Sequence, residues 1–131
     1  MTMNKPIRVY IAGLLTPRGV WNSNPAVDYL ANVRHMVRAA IDCMMAGLTP
    51  FCPGIDYTYF LALRDGEEIT EAMIKKVSIE WLEVCDCVLL LDKWWLSPGT
   101  LAEIEVATKM GIPVFRSIKE IKEWANAIHQ A

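Results

Sequence analysis

The sequence contains no long run of apolar residues, although hydrophobic residues make up 53% of its 131 positions. The longest such run, residues 88–91 after Cys87, is far shorter than the roughly 20 residues that a helix needs to cross a bilayer. Residues 1–6 carry one charge and no long apolar stretch, so they do not resemble a secretory signal. We therefore expect a cytosolic protein that has no membrane partner.

Metal-binding spacing is also missing. None of the cysteines shows the zinc-type Cys-x-x-Cys spacing, and neither histidine has a second ligand at metal spacing. We therefore expect free buried thiols, no metal ion and no cofactor. The residues concerned are Cys43, Cys52, Cys85, Cys87, His35 and His129.

A dense basic cluster is absent as well. The 13 Lys and Arg residues are outnumbered by 15 Asp and Glu residues, which gives a formal net charge of −2. Proteins that bind DNA or RNA usually present a positively charged face. The composition argues against a nucleic-acid polymer as the partner and favours a small-molecule ligand.

The sequence does contain a regular alternation of strand and helix patterns, without an internal repeat or a linker. This predicts one domain over residues 1–131, with an α/β fold of the flavodoxin-like or Rossmann-like three-layer type and a mostly parallel sheet of four to five strands. Two prolines in the second strand favour a sheet edge, and residues 56–60 are expected to form a loop or a short turn. The predicted strands cover residues 7–13, 48–53, 85–91 and 112–115, and the predicted helices cover residues 32–45, 70–84, 97–110 and 118–130.

Ligands of parallel α/β sheets bind beyond the carboxyl ends of the strands. This rule selects residues 13–18, 53–59 and 92–103 as the candidate site. In the last of these, Ser97 is expected to cap a helix that begins with a proline. The unpaired amides near Ser97 and Gly99, together with the helix dipole, favour a phosphate or a sugar hydroxyl at this point.

Glu103 lies four residues after Gly99, on the same face of the predicted helix. A carboxylate directed toward the open space beside a glycine can attack an electrophilic carbon. The same spacing is also typical of a solvated helix residue behind a serine that only caps the helix. Spacing alone leaves both interpretations open.

The stretch of residues 97–114 resembles the signature of the nucleoside 2-deoxyribosyltransferase superfamily, which includes deoxynucleoside 5′-monophosphate N-glycosidases. In that signature a Gly is followed after four residues by the nucleophilic Glu, after four more by Ala, and then by Gly and a strand with Pro. Gly99, Glu103, Ala107, Gly111 and Pro113 occupy these positions.

The first predicted strand carries a second similarity. Residues 9–13 resemble the superfamily's first strand, in which a Tyr orients the catalytic carboxylate and a Gly opens the pocket, so the resemblance implies these roles for Tyr10 and Gly13. In the monophosphate glycosidases, a Ser six residues before the nucleophile and an Arg after the first strand bind phosphate. Ser97 and Arg18 match them, which favours a nucleotide over a nucleoside as substrate.

One position departs from the superfamily pattern. The family places an Asp that helps to protonate the leaving base where this chain has Ser78. Asp92, and after it Asp56, both at predicted strand ends, are the candidates to replace that acid. Trp94, like its neighbour Trp95, could stack on the base or pack at a subunit contact.

The resemblance implies cleavage of the N-glycosidic bond of a nucleoside 5′-monophosphate or nucleoside through a covalent glycosyl intermediate on Glu103. Water as the acceptor gives a hydrolase, and a second base gives a transferase. One alternative is a module that binds a nucleotide in the same cleft without cleaving it. Another is a structural protein, which requires the Tyr10 and Glu103 matches to be coincidental. The small size of the chain and exposed candidates such as Trp21 predict a homo-oligomer.

Overall fold

The computed structural model describes residues 5–130, and it describes side chains as far as Ile128. Residues 1–4, which belong to the segment considered above as a signal, and the side chain of His129 lie outside the described residues. The strands are β1 (Arg8–Ala12), β2 (Thr49–Phe51), β3 (Cys87–Leu90) and β4 (Val114–Phe115). The helices are α1 (Pro25–Met45), α2 (Glu71–Glu83), α3 (Pro98–Lys109) and α4 (Ile118–Gln130), with 3₁₀ segments at Pro53–Ala62 and Trp94–Leu96.

The four strands form one sheet in the order β2-β1-β3-β4, and every neighbouring pair is parallel. The helices pack on both faces of the sheet, so the fold has the three α/β/α layers of the Rossmann-like class and the predicted fold class is confirmed. The predicted edge strand is also confirmed, because β2 lies at one end of the sheet. An edge position accommodates Pro50, which has no N–H to donate to a further strand.

Side chains of β1 and β3 alternate between two hydrophobic clusters because successive residues of a strand point to opposite faces of the sheet. Both faces of β3 are buried, which explains its unbroken apolar sequence. The face covered by α1 and α4 contains Val9, Ile11, Cys87, Leu89, Met36 and Ile121. The face covered by α2 and α3 contains Tyr10, Ala12, Val88, Leu90, Leu82 and Ala107.

Helix α1 begins at Pro25, whereas its apolar periodicity predicts a start at residue 32. Asn24 is the N-cap, and its side-chain oxygen accepts hydrogen bonds from the N–H groups of Ala26 and Val27. The buried residues of the first turns are the polar Asp28 and Asn32, not apolar ones. The predicted start was therefore wrong, because the hydrophobic pattern does not extend over these turns.

Residues 56–60, predicted as a loop or a short turn, belong to the longer 3₁₀ segment Pro53–Ala62. This segment follows β2 and crosses the carboxyl edge of the sheet next to α1, with which it is in contact. It buries Asp56 while leaving Ile55 and Tyr57 exposed. The consequence is that a carboxyl group lies under the surface at the end of an edge strand.

The carboxyl end of β1 is the point at which the strand order reverses, because β2 lies on one side of β1 and β3 on the other. Such a switch point forms a crevice between the loops that leave the strands. A buried hydrogen bond of 3.0 Å from the Thr100 hydroxyl to the Gly13 carbonyl ties the start of α3 to the loop after β1. No helix among the described residues has the length and apolar character needed to span a bilayer.

Candidate active site

A cavity of about 380 Å³ opens at the carboxyl end of β1. Its wall is built from β1 and the loop after it, the 3₁₀ segment Pro53–Ala62, helix α2 and the first turns of α3. Seven of the nine site residues singled out from the sequence line it, which leaves Asp92 and Trp94 outside. The residues brought together are Tyr10, Gly13, Arg18, Asp56, Ser97, Gly99 and Glu103.

Glu103 presents its carboxyl group to this cavity from the second turn of α3. Its Oε2 atom is buried and has no hydrogen-bond partner among the described residues. Burial raises the pKa of Glu103 to about 7, the Tyr10 hydroxyl opposes this rise, and the nearby charge of Asp56 adds to it. The group is a desolvated carboxyl with a free oxygen, which is the state expected of a nucleophile or a general base.

Tyr10 lies on β1 with no exposed surface, and its ring stacks on Phe51 of β2 at 5.6 Å between centroids. Burial is the main cause that raises its pKa, and the neighbouring Glu103 carboxyl raises it further, while the Ser78 hydroxyl opposes the shift. The phenol therefore stays protonated and can donate to a carboxylate. Its hydroxyl has no partner of standard hydrogen-bond geometry among the described residues, so it is available to Glu103 or to a ligand.

The first turn of α3 is closed on itself by side-chain hydrogen bonds. The Ser97 hydroxyl accepts from the Thr100 N–H at 3.1 Å, and the two hydroxyls of Ser97 and Thr100 are 2.9 Å apart. The Leu101 N–H bonds to the Ser97 carbonyl. Ser97 is thus the predicted N-cap, and its hydroxyl is already engaged within the helix terminus.

Gly99 leaves open space in the cavity wall. A side chain at this position would meet only the Ser97 hydroxyl, 3.9 Å from its Cβ, whereas one at Gly13 would press on Leu91 at 3.1 Å. Because position 98 is a proline, the Gly99 N–H is the first amide of α3, and it has no backbone partner among the described residues. The anion-binding capacity predicted for this terminus is therefore concentrated on one amide.

Asp56 lines the same cavity from the 3₁₀ segment Pro53–Ala62. It is buried, and its Oδ2 atom accepts a hydrogen bond of 3.1 Å from the Ser78 hydroxyl of α2. Burial raises the pKa of Asp56, and the bond from Ser78 opposes this rise. Ser78 thus holds a second carboxyl group in the site.

The loop that carries Arg18 is held in place by Asp28. The Asp28 carboxylate has no exposed surface and accepts four backbone N–H groups of the loop at 2.7–3.1 Å. These bonds, that from the Trp21 N–H first, lower the pKa of Asp28 below its usual value. The Arg18 side chain is exposed at the cavity wall, where it can reach an anionic group.

Asp92, expected as the first candidate for the acid, lies elsewhere. It is exposed and lines a separate cavity of about 180 Å³ with Trp21, His35 and Lys93. Lys93, directly after Asp92, adopts a left-handed conformation with φ 64°. The geometry therefore does not place Asp92 in the cavity of Glu103, where it was expected to protonate the leaving base.

Trp94, predicted either to stack on the base or to pack at a subunit contact, lies outside the main cavity and packs against the hydrophobic cluster beneath α2 and α3. Its ring meets that of Trp95 edge-on, at 5.9 Å between centroids. Besides Tyr10, the main cavity is lined by the aromatic residue Tyr57, whose ring packs edge-on against that of Tyr29 at 5.8 Å between centroids. Tyr57 was not singled out from the sequence, although it directly follows Asp56.

Sequence analysis also missed two residues that hold the loop after β1. Thr100 ties this loop to α3, and Asp28 ties it to α1. A signal for Asp28 exists, since an acid in the first turn after an Asn-Pro cap fits a helix N-terminus. The link from Thr100 to Gly13 spans 87 positions and has no local signal. Among residues 5–128, no group of three or more His, Cys, Asp or Glu side chains could hold a metal ion.

Comparison with known families matches residues 20–117 to a family described as Domain of unknown function (DUF7768). The match includes α1, β2, α2, β3, α3 and β4, and therefore most of the cavity wall and Glu103. No curated protein matches the chain at a significant level.

Proposed function

The chain belongs to the family Domain of unknown function (DUF7768), and we propose that it cleaves the N-glycosidic bond of a nucleoside 5′-monophosphate or nucleoside. The observation that carries the proposal is the Oε2 atom of the half-buried Glu103, which is itself buried and lacks a hydrogen-bond partner among the described residues. The similarity of Tyr10 and of the Gly99-to-Glu103 spacing to the nucleoside 2-deoxyribosyltransferase superfamily supplies the substrate class.

The state of Glu103 favours chemistry over a structural role. A buried polar atom without a partner costs about 1–3 kcal/mol, and more if it is charged. Such a cost is typical of sites where the atom is completed by substrate. A solvated helix residue, the alternative interpretation of the spacing, would carry no such cost.

In the proposed reaction, one oxygen of Glu103 attacks C1′ of the sugar as the bond from C1′ to the base nitrogen breaks. The Tyr10 hydroxyl holds the carboxylate in position and disfavours its protonation. Water then attacks C1′ and releases the sugar from Glu103, or a second base does so and is transferred. The acceptor decides between a hydrolase and a transferase.

Two groups on one side of the cavity are suited to a 5′-phosphate. Arg18 supplies a guanidinium group, and the Gly99 N–H supplies a free amide at a helix N-terminus. Ser97 contributes by fixing this terminus, because its hydroxyl is engaged by Thr100. The proposal therefore gives the phosphate contacts to Arg18 and Gly99.

The test is a chromatographic screen for free base after incubation with nucleosides and nucleoside 5′-monophosphates, with and without an acceptor base. Glu103→Ala is expected to lower the rate at least about a thousandfold, because the nucleophile is lost. Glu105→Ala is the matched control on the same helix. Glu105 is exposed and forms an ion pair with Lys109 at 3.1 Å, so this variant should keep the native rate.

Equal loss in both variants, or retained activity in Glu103→Ala, would contradict the assignment of the nucleophile. Binding of a nucleotide without release of base would favour the second candidate, a nucleotide-binding module that uses the same cavity. The replacement of the superfamily's acid by Ser78 is the observation that keeps this candidate in view.

We extend the proposal to the cytosol and to a homo-oligomer. The four cysteines are free thiols, as expected in a reducing compartment. Trp21, named from the sequence as an exposed residue, is half exposed. Its indole N–H donates a hydrogen bond to Oδ1 of Asn32, and its ring stacks on that of His35. The apolar face of α2 with Met73 and Trp81 is the better candidate for a subunit contact. Light scattering of the purified protein would measure its oligomeric state.

A further inference from the structure

We infer that Asp56, held by Ser78, is the group that donates a proton to the departing base. This inference rests on the proposed N-glycosidase function and names a residue that neither the superfamily pattern nor the first expectation from the sequence selects. It concerns the step in which the leaving group takes its proton, separately from the attack by Glu103.

The position of Asp56 in the cavity is the first argument. Asp56 and Glu103 line the same cavity from different walls, and the charge of Asp56 is near enough to raise the pKa of Glu103. Asp92, the other candidate, lines a separate cavity with Trp21 and His35. Of the two candidate acids, Asp56 is therefore the one that shares a cavity with the nucleophile Glu103.

The second argument is the hydrogen bond from Ser78. The superfamily places its acid on the helix at this position, whereas here α2 supplies a hydroxyl, and the carboxyl group comes from the segment after β2. The Ser78 hydroxyl donates to Oδ2 of Asp56 at 3.1 Å, which leaves Oδ1 to carry a proton toward the cavity.

A polar line connects the two carboxyl groups. Ser78 also lies beside the Tyr10 hydroxyl, which in turn neighbours Glu103. These four side chains therefore form a continuous row along the cavity, with one carboxyl group at each end. The Tyr57 ring next to Asp56 lines the same end and offers an aromatic surface for a base.

Before a substrate binds, the shared proton favours Glu103 and the negative charge favours Asp56, so the reactive form is the less populated arrangement of the pair. Burial raises the pKa of Asp56, and the negative charge of Asp56 raises that of Glu103. Because the two groups interact, each of the two observed pKa values describes the pair and not one residue alone. The reactive form carries the proton on Asp56 and the charge on Glu103, and the positive charge that develops at C1′ beside Glu103 favours this form.

The steps balance as follows. The bond between C1′ and the base nitrogen breaks, its electron pair goes to the base, and the Asp56 proton passes to the base. The bond from Glu103 to C1′ forms at the same time. In the second step the oxygen of water bonds to C1′ and the bond to Glu103 breaks. One proton of that water passes to Asp56, and the other stays on the new hydroxyl group of the sugar.

The experiment compares two leaving groups in one protein. The first substrate is whichever nucleoside 5′-monophosphate or nucleoside the native protein cleaves. The second is the same compound activated by N-methylation or by an electron-withdrawing substituent, so that its base departs without a proton. Asp56→Asn is expected to lower kcat/KM at least about a hundredfold on the first substrate and less than about threefold on the second.

Two further variants make the result specific. Ser78→Ala, which removes the positioning hydroxyl, should lower kcat/KM about tenfold on the first substrate. On the second substrate its kcat/KM should equal that of the native protein. Asp65→Asn is the control, because Asp65 is exposed, and it should match the native protein on both. Glu103→Gln should fail on both substrates, since the nucleophile is needed whatever the leaving group.

The outcomes separate this inference from the proposed function. One outcome is that the native protein cleaves both substrates while Asp56→Asn lowers kcat/KM by the same factor on each. In that case Asp56 is structural, and the inference is overturned while the proposed function stands. The same conclusion follows if Asp56→Asn keeps the native rate on both. If the native protein cleaves neither substrate, the proposed function fails and the inference fails with it.

Discussion

Asp28 is fully buried and Glu103 is half-buried with one buried oxygen, both near the carboxyl end of β1, but their surroundings differ. Asp28 accepts four backbone N–H groups, and its pKa is lowered, first through the bond from Trp21. Glu103 has a buried oxygen without a partner among the described residues, and burial raises its pKa to about 7. One carboxylate is fully satisfied by the protein, and the other is left incomplete.

The difference shows that the partners of a buried acid indicate its role better than its burial does. A carboxylate surrounded by N–H groups stabilises the fold, because each donor would otherwise need another acceptor. A desolvated carboxyl group with a free oxygen weakens the fold and is retained where a ligand completes it. Substitution at the two positions should therefore change stability in opposite directions.

The largest stability effect is expected from the pH dependence of Glu103. Between its usual pKa of 4.5 and the folded value of about 7, the folded protein keeps a proton that the unfolded chain has released. Stability should therefore fall as the pH rises through this window, by on the order of 3 kcal/mol in total. Glu103→Gln does not titrate and should not show this fall.

The effect is measured by urea denaturation from pH 4 to pH 8, as the difference in the free energy of unfolding between the native protein and Glu103→Gln. Asp56 is the other carboxyl group that raises the pKa of Glu103, so the difference should shrink when Asp56→Asn is added to both proteins. Glu105→Gln serves as the control on the exposed face of α3. A difference that stays constant over this pH range would show that Glu103 has the same pKa in the folded and unfolded protein, as a solvated residue does.

Asp28→Asn should act in the opposite direction. An amide offers one acceptor oxygen to the four loop N–H groups and turns its own NH₂ toward the rest, so we expect the Tm to fall by roughly 5 to 10 °C at pH 7. Because the folded pKa of Asp28 is lowered, its contribution is present above the ordinary Asp pKa and is lost as the pH falls through the folded value.

Thermal denaturation followed by circular dichroism tests this expectation. The control is Asp42→Asn on the same helix, where Asp42 forms an exposed pair with Arg38. That pair is expected to contribute little, so the Tm should change by less than about 2 °C. Equal shifts in the two variants would mean that the four hydrogen bonds of Asp28 add no stability beyond that of a surface ion pair.

The parts of the fold that could be predicted are those with a local pattern. The unbroken apolar sequence of β3 and the two prolines near β2 indicated a buried central strand and an edge strand, and the sheet order agrees. The start of α1 had a signal that was not used, because Asn24-Pro25 is the same cap pattern as Ser97-Pro98. The missed turns contain buried polar residues, which hydrophobic periodicity cannot detect.

The candidate site was predictable where a motif carried it and unpredictable where tertiary geometry decides. The stretch from Gly99 to Glu103 and the strand with Tyr10 meet in one cavity, as the strand-end rule implies. The same rule selected Asp92, which lines a different cavity. The bond between Asp56 and Ser78 joins residues that lie 22 positions apart, and no local pattern announces it.

The smallest effect should come from Arg18, which the hydrogen bonds to Asp28 hold at the cavity wall. Arg18→Ala is expected to raise KM about tenfold for a nucleoside 5′-monophosphate and to leave KM for the nucleoside unchanged, because only the phosphate meets the guanidinium group. Arg38→Ala, which removes an exposed charge from α1, is the control. Equal changes for both substrates would mean that the loop shapes the cavity without binding phosphate, and Asp28 would then support only the fold.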